Sequence, residues 1–230
     1  ITSLVFINRG FFFCSFTKGL NQHTCRHLTQ DHSTITKYAM DLIPIMMHQN
    51  YLNSALKQFA YYKTLGERTF DQLNEKQLFW QYNSESNSIA IIINHLWGNM
   101  KSRWTDFLTS DGEKKWRKRD LEFETQIESK EKLMAKWETG WTCLFEALQT
   151  INDKNFQTEI FIRNQSHSIP DAVNRQMMHY AYHIGQVVYL GRMIKAEKWK
   201  NLSVEKGGSA AYNHKKKSQG KHRGHFTDDI

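Results

Sequence analysis

The chain is poor in proline and cysteine, since 230 residues hold only two prolines and three cysteines. So few helix breakers, together with runs rich in Leu, Gln, Lys, Glu and Met, favour long helices. Three scattered cysteines are too few for a disulfide framework and are typical of a reducing compartment, so we expect a cytoplasmic protein. The longest apolar stretch is too short to span a membrane and no clean signal peptide is present, so we expect no membrane association.

The central part of the chain has no excess charge of either sign. The formal net charge is +8, yet residues 40–194 carry 18 basic and 18 acidic side chains. The excess belongs to residues 1–39, at +3, and residues 195–230, at +5. Because a nucleic-acid binder shows its basic residues on a folded face, we do not expect nucleic acid as a partner.

The two ends also lack the helical periodicity of the centre. We interpret residues 1–48 as an N-terminal extension that is disordered or foreign to the native protein. A small zinc site there is an alternative with little support, because its candidate ligands have no regular spacing. They are Cys14, His23, Cys25, His27 and His32. Residues 199–230 form a basic tail rich in Gly and Lys, which we expect to be irregular, with exposed lysines. We expect its end to dock near the central histidines or a dimer partner.

Between these ends, residues 49–198 show apolar side chains at steps of three and four residues. The pattern predicts helices over about 49–73, 88–108, 129–151 and 170–197. A polar connection at 109–124 is interpreted as a solvated loop, and Lys136 is expected to face water. Two short extended pieces, TEIFIR and SHSI, predict a hairpin-like insertion before the last helix, with its turn at Asn164-Gln165. The result is an all-α fold, a four-helix bundle with one small insertion.

The last helix contains residues 176–191, a stretch without one charged side chain. His179 and His183 are four residues apart there and share a helical stripe with Gln186. Buried imidazoles need hydrogen-bond partners or a metal ion. With eleven histidines in the chain, about half a pair at this spacing is expected by chance, so context must decide.

A third histidine has the same uncharged setting in the second predicted helix. His95 is the only residue between Ser86 and Met100 that could carry a charge near neutral pH. A single histidine on such a face is more often a core residue with a hydrogen-bond partner than a metal ligand. From the residues alone, a metal site and a set of satisfied core histidines both stay open.

Two segments, NSIAIIINHLWGNMKSRWTDFLTSDGEKKWRKRD and NRQMMHYAYHIGQVVYLGRMIK, resemble the DinB/YfiT-like metal-binding helical bundle proteins. The resemblance covers about residues 50–226 and points to a subgroup of unknown function. It implies that His95, His179 and His183 hold a divalent metal ion: zinc, nickel, manganese or iron. It also implies a homodimer and metal-dependent transfer of a low-molecular-weight thiol, such as bacillithiol or mycothiol, to a small-molecule acceptor.

Three imidazole ligands would leave one coordination position open, whereas structural zinc sites are closed by four protein ligands. A bound thiol would lose its proton there and become a strong nucleophile, or a bound water would be ionised for hydrolysis. The pair HYAYH lacks the glutamate of HExxH metalloproteases. A metal-binding stress or interaction protein without turnover is the alternative. Further candidate contacts to the ligands or a substrate, none of them assigned as catalytic, are Asn99, Arg175, Tyr182 and Gln186.

Overall fold

A computed structural model describes the backbone of residues 5–7, 10–12, 32–124, 127 and 129–229, and the side chains of 48–124, 127 and 129–228. The chain divides into two compact units, Ile1–Leu42 and Ile43–Ile230. In the first unit, strands β1 (Val5–Ile7) and β2 (Gly10–Phe12) pair antiparallel. The zinc hypothesis for the N-terminal cysteines and histidines concerns side chains outside the described residues, and the interpretation of 1–48 as an extension stays a prediction.

Helices dominate the described chain, which confirms the all-α prediction. They are α1 (His32–Phe70), α2 (Glu75–Leu78), α3 (Ile89–Trp104), α4 (Lys130–Gln149), α5 (Ile169–Lys195) and α6 (Ser209–Ser218). Short 3-10 turns lie at Asp120–Phe123, Ala196–Lys198 and Phe226–Asp229. No described helix combines the length and apolar character needed to cross a membrane.

Serine residues set the starts of three long helices. The hydroxyls of Ser88, Ser129 and Ser168 each accept a backbone N–H from the first turn of α3, α4 and α5. Such caps satisfy donors that have no partner inside the helix. Pro170 lies in the first turn of α5, where its missing N–H costs nothing. These starts agree with the predicted ones within two residues.

The first helix begins earlier than expected, at His32 rather than near residue 49. Apolar periodicity does not mark where a helix begins, and each residue added to a helix that has formed gains one more backbone hydrogen bond. The four-residue helix α2 was also missed. It starts with a capping box, in which the side chain of Asn74 accepts the backbone N–H of Gln77 and the side chain of Gln77 accepts the backbone N–H of Asn74. The signal for this helix is therefore local and depends on two polar side chains.

The predicted hairpin is present as strands β3 (Ile160–Ile162) and β4 (Gln165–His167), which pair antiparallel. Its turn lies at Arg163 and Asn164, one residue earlier than expected. Both residues have positive φ, 56° and 60°. A two-residue turn of this kind matches the right-handed twist of the strands that it joins.

The four long helices share one apolar core and meet at Tyr180. The rings of Phe59 on α1, Trp141 on α4 and Tyr180 on α5 lie with centroids 5.8 to 6.5 Å apart. Trp104 Nε1 on α3 donates to the Tyr180 hydroxyl at 3.0 Å, and that hydroxyl donates to Asn99 Oδ1, also on α3, at 3.1 Å. Each long helix therefore contributes a side chain to the same buried cluster.

The C-terminal tail is more regular than expected, because helix α6 occupies Ser209–Ser218. Gly207 and Gly220, both with positive φ, lie just outside the helix and so bound it rather than break it. The tail docks on α1. His225 bonds Ser54 at 3.1 Å, and Lys57 pairs with Asp228 at 2.6 Å.

We expect Tyr180→Phe to lower the free energy of unfolding by about 1–3 kcal/mol. It leaves the buried N–H of Trp104 without an acceptor and removes the donor to Asn99. Tyr182→Phe is the matched control, since that side chain is 64% exposed, and it should change stability by less than about 0.5 kcal/mol. Urea denaturation measures both. Equal effects in the two variants would contradict the role given to Tyr180.

Candidate metal centre

The three predicted histidines come together between α3 and α5. One ring nitrogen from each of His95, His179 and His183 lies within 4.8 Å of the other two. His95 Nε2 and His179 Nε2 are 3.2 Å apart. His95 is 4% exposed, and the other two are partly buried. The fold therefore brings residues 84 positions apart in the chain into one cluster.

Two of these rings are oriented by hydrogen bonds from their other nitrogen. His95 Nδ1 lies 2.8 Å from Glu122 Oε2, and because a carboxylate only accepts, Nδ1 donates. His183 Nδ1 lies 2.9 Å from Gln186 Oε1 and likewise donates to it. In the neutral rings, Nε2 then carries the lone pair that a metal would bind. Hydrogen bonds of this kind fix the tautomer and orientation of ligating histidines in metal sites.

The spacing of the nitrogens fits a metal ion. With Zn–N distances of 2.0–2.1 Å, two nitrogens in a tetrahedral site are separated by about 3.3 Å. The 3.2 Å between His95 and His179 agrees with that value. Without a metal, the same separation allows His179 to donate a hydrogen bond to His95. Imidazole donors suit zinc, nickel, iron and copper better than magnesium or calcium.

Burial keeps two of the histidines uncharged. Burial, together with the neighbouring His183 and His95, lowers the pKa of His179 to about 3. Burial, together with the neighbouring His95, lowers the pKa of His183 to about 4, although the bond to Gln186 acts in the opposite direction. Both rings are neutral at pH 7, which is the form that binds a metal.

The segment at 109–124, expected to be a solvated loop, instead supplies a buried carboxylate to the site. Glu122 accepts from Arg117 Nε at 2.7 Å and from Arg117 Nη2 at 2.9 Å. Burial raises the pKa of Glu122, but the bonds from Arg117 and His95 outweigh it and lower the pKa below its usual range. Glu122 is therefore ionised beside His95.

Gly98 makes room for that carboxylate. A Cβ at this position on α3 would lie 2.6 Å from Glu122 Cδ, closer than packed atoms approach. A glycine inside an apolar helix often marks such a close approach. It is the one signal in the sequence that could have pointed to a group packed beside His95.

Lys136 does not face water as expected. Its Nζ donates to Asn94 Oδ1 at 2.6 Å and lies 4.2 Å from the Trp97 ring centroid. Asn94 in turn donates to the backbone carbonyl of Glu122 at 2.9 Å. Lys136 and Asn94 thus hold the segment that carries the carboxylate.

A second anchor joins this segment to the hairpin. Asp111 accepts backbone N–H bonds from Glu113, Arg163 and Asn164 at 2.6 to 2.9 Å. Burial raises the pKa of Asp111, but these three bonds outweigh it and lower the pKa. The hairpin and the loop therefore form one continuous wall.

A pocket of about 200 Å³ lies between this wall and the helices, and His95 and His179 form part of its lining. The remaining lining residues are Asn99, Arg103, Arg117, Arg119, Arg163, Arg175 and Gln176. None of the described residues of the C-terminal tail belongs to this lining. The described end of the tail contacts Ser54 and Lys57 on α1, and its expected docking near the histidines stays a prediction.

The four residues predicted as further contacts to the ligands or a substrate lie at different places. Asn99 and Arg175 line the pocket, and Gln186 bonds His183. Tyr182 is mostly exposed and does not line the pocket, but its ring packs edge-on against His183 with centroids 5.0 Å apart. The functional residues that the sequence did not reveal are Glu122 and the pocket arginines other than Arg175.

We expect the metal-free protein to lose stability as the pH falls from 7 to 5. In this range the unfolded chain protonates His179 and His183 near their ordinary pKa of 6.5, while the folded chain keeps both neutral. The unfolded state then binds more protons, so the free energy of unfolding falls by about 1–2 kcal/mol per histidine at pH 5. Urea denaturation in the presence of a chelator measures the free energy of unfolding at each pH. In His183→Gln this free energy should depend less steeply on pH. Parallel curves for the two proteins would contradict the burial of neutral His183.

Of the three comparisons with known proteins, one identifies a family. No curated protein and no solved structure shows significant similarity to the chain. Residues 46–208 match the family described as "Protein of unknown function (DUF1572)". The match covers more than two thirds of the chain and includes all three histidines and Glu122. The chain belongs to the DUF1572 family.

Proposed function

We propose that this chain is a DinB-like four-helix bundle that binds a divalent metal ion and transfers a low-molecular-weight thiol to a small electrophilic acceptor. The observation that carries the proposal is the convergence of His95, His179 and His183 beside an open pocket. Four long helices that share one core support the bundle arrangement.

The three histidines would hold the metal ion and leave room for one more ligand. A divalent ion bound there lowers the pKa of a thiol or water molecule that joins it. The chain's own contribution is orientation and charge. Glu122 holds the proton on His95 Nδ1, and Arg117 fixes the carboxylate from the far side.

The lining of the pocket favours a thiol over water as the nucleophile. Hydrolysis commonly needs a general base within hydrogen-bond reach of the water. The residues found to line the pocket include no carboxylate, and Glu122 behind them is already bonded to Arg117 and His95. A thiolate needs no such base. Its sulfur bonds the electrophilic carbon of the acceptor, the leaving group departs with the bonding pair, and the thiol proton goes to solvent.

The open pocket also favours an enzyme over a metal-binding protein without turnover. A site that only stores or senses a metal needs no space beside it, whereas small-molecule sites are concave and lined by a few convergent polar groups. The pocket has this form, with His95 and His179 at one side and Asn99 and Gln176 among its polar groups. The homodimer and the identity of the thiol stay predictions.

We expect the untagged protein, purified without a nickel column, to contain close to one divalent metal ion per chain. Elemental analysis should show that His183→Ala loses most of it, while His214→Ala, on exposed α6, keeps it. The metal-loaded protein should conjugate bacillithiol or mycothiol to monobromobimane with release of bromide, and chelation should abolish the excess rate.

Three results would overturn this proposal in different ways. Full metal content in His183→Ala would exclude the three-histidine site. Normal metal content with no thiol conjugation, but with hydrolysis of a simple ester in the absence of thiol, would support a metal-dependent hydrolase instead. The absence of both activities at normal metal content would support a metal-binding protein without turnover.

We expect Glu122→Gln to weaken metal affinity by about 10- to 100-fold, the usual cost of losing a group that orients a ligating histidine. The amide is uncharged and pairs less well with Arg117 and His95. Glu124→Gln, two residues on and exposed, is the control and should bind the metal as the parent does. Competition with a chromophoric chelator measures the affinity. Equal values for the parent and Glu122→Gln would remove Glu122 from the site.

A further inference from the structure

The pocket beside the histidines is lined by an excess of positive charge. Five arginines contribute to the lining: Arg103, Arg117, Arg119, Arg163 and Arg175. Only two carboxylates, Glu113 and Glu122, pair with any of them in the described chain. Five guanidinium groups against two carboxylates leave the pocket with a net positive charge that attracts anions.

The two carboxylates pair with three of the five arginines, Arg103, Arg117 and Arg163. Glu113 Oε2 accepts from Arg103 at 3.1 Å, from Arg163 at 3.1 Å and from Arg117 at 3.5 Å. Glu122 is bonded by Arg117 and His95. Arg117 and Arg163 are therefore paired, and Arg103 is paired through one nitrogen.

Two arginines have no acidic partner among the described residues. Arg119 lies over the Phe123 ring, 5.2 Å from its centroid. Arg175 Nη1 contacts His167 Nε2 at 2.9 Å. A guanidinium carries five N–H donors in a planar fork, so both retain donors that suit the two oxygens of a carboxylate or phosphate.

Two buried polar atoms in the same lining lack partners. Arg103 is 7% exposed and Gln176 is 3% exposed. Arg103 Nε and Gln176 Oε1 are both buried without a hydrogen bond. An unsatisfied buried polar group is unfavourable, so such atoms are usually paired in the functional state. One is a donor and the other an acceptor, and both belong to the pocket.

We propose that this pocket is an oxyanion subsite for a small molecule that carries a carboxylate or phosphate group. Arg103 Nε, Arg119 and Arg175 bind the anionic oxygens, and Gln176 Oε1 accepts from an O–H or N–H next to the anion. The volume of about 200 Å³ admits a small acidic group rather than a polymer. Binding itself does not need the metal. The further step, that this anion belongs to the thiol or acceptor, rests on the proposed function.

The subsite is tested by isothermal titration of the metal-free full chain, which excludes anion binding to a metal ion. The probes are inorganic phosphate, malate, succinate and, as a neutral control, glycerol. Phosphate or malate should bind, and Arg175→Gln and Arg119→Gln should each weaken the tighter probe at least tenfold. Arg192→Gln, on the exposed face of the same helix as Arg175, should bind as the parent does. Which probe binds more tightly distinguishes a carboxylate from a phosphate ligand.

The role of Gln176 is tested with the pair malate and succinate, which differ by one hydroxyl. The parent should prefer malate, and Gln176→Leu should lose that preference while its thermal stability is kept or raised. Three results would overturn the subsite: no anion binds, the two pocket variants bind as the parent does, or Arg192→Gln weakens binding equally. Metal content measured on the protein as purified, before the metal is removed for titration, separates the two proposals, because a protein without metal that still binds anions contradicts only the metal centre.

Discussion

The geometry of the site depends on one buried ion pair, that of Glu122 with Arg117. Taking a carboxylate and a guanidinium out of water costs several kcal/mol each, and their attraction offsets this only with good geometry and further hydrogen bonds. Here Arg117 binds both carboxylate oxygens and His95 binds one of them. Such a pair adds little to stability compared with apolar packing. Its effect is to hold one imidazole of the cluster in one tautomer and orientation.

A second constraint fixes the other two imidazoles. Tyr180 lies between His179 and His183 in the chain, and its hydroxyl is bonded to two residues of α3. One of these, Asn99, is a single helical turn from His95. The register of α5 against α3 is therefore set by hydrogen bonds inside the core, next to the ligands themselves. A slide of either helix would break those bonds before it could separate the histidines.

Much of this arrangement could be predicted from the sequence. Apolar periodicity placed α3, α4 and α5, because it is a local signal. The uncharged setting of His95, His179 and His183 indicated burial, and the resemblance to a known family grouped them. Paired charges were harder to predict. Glu122, Arg117 and Lys136 lie among other charged residues, and the sequence does not distinguish a buried, paired charge from a solvated one. The start of α1 and the presence of α6 were missed because helices with weak apolar periodicity carry little signal.

The anchor at Asp111 has a consequence for how such a site could change. The hairpin residue Arg163 and the loop residue Arg119 lie on segments fastened to each other, whereas the three histidines lie on helices fixed by the core. Substitutions of Arg119 and Arg163 can therefore alter the charge of the pocket while the helices keep their packing. Glu122 and Arg117 lie on the same loop and orient His95, so only part of the loop is free to diverge while the histidines keep their geometry.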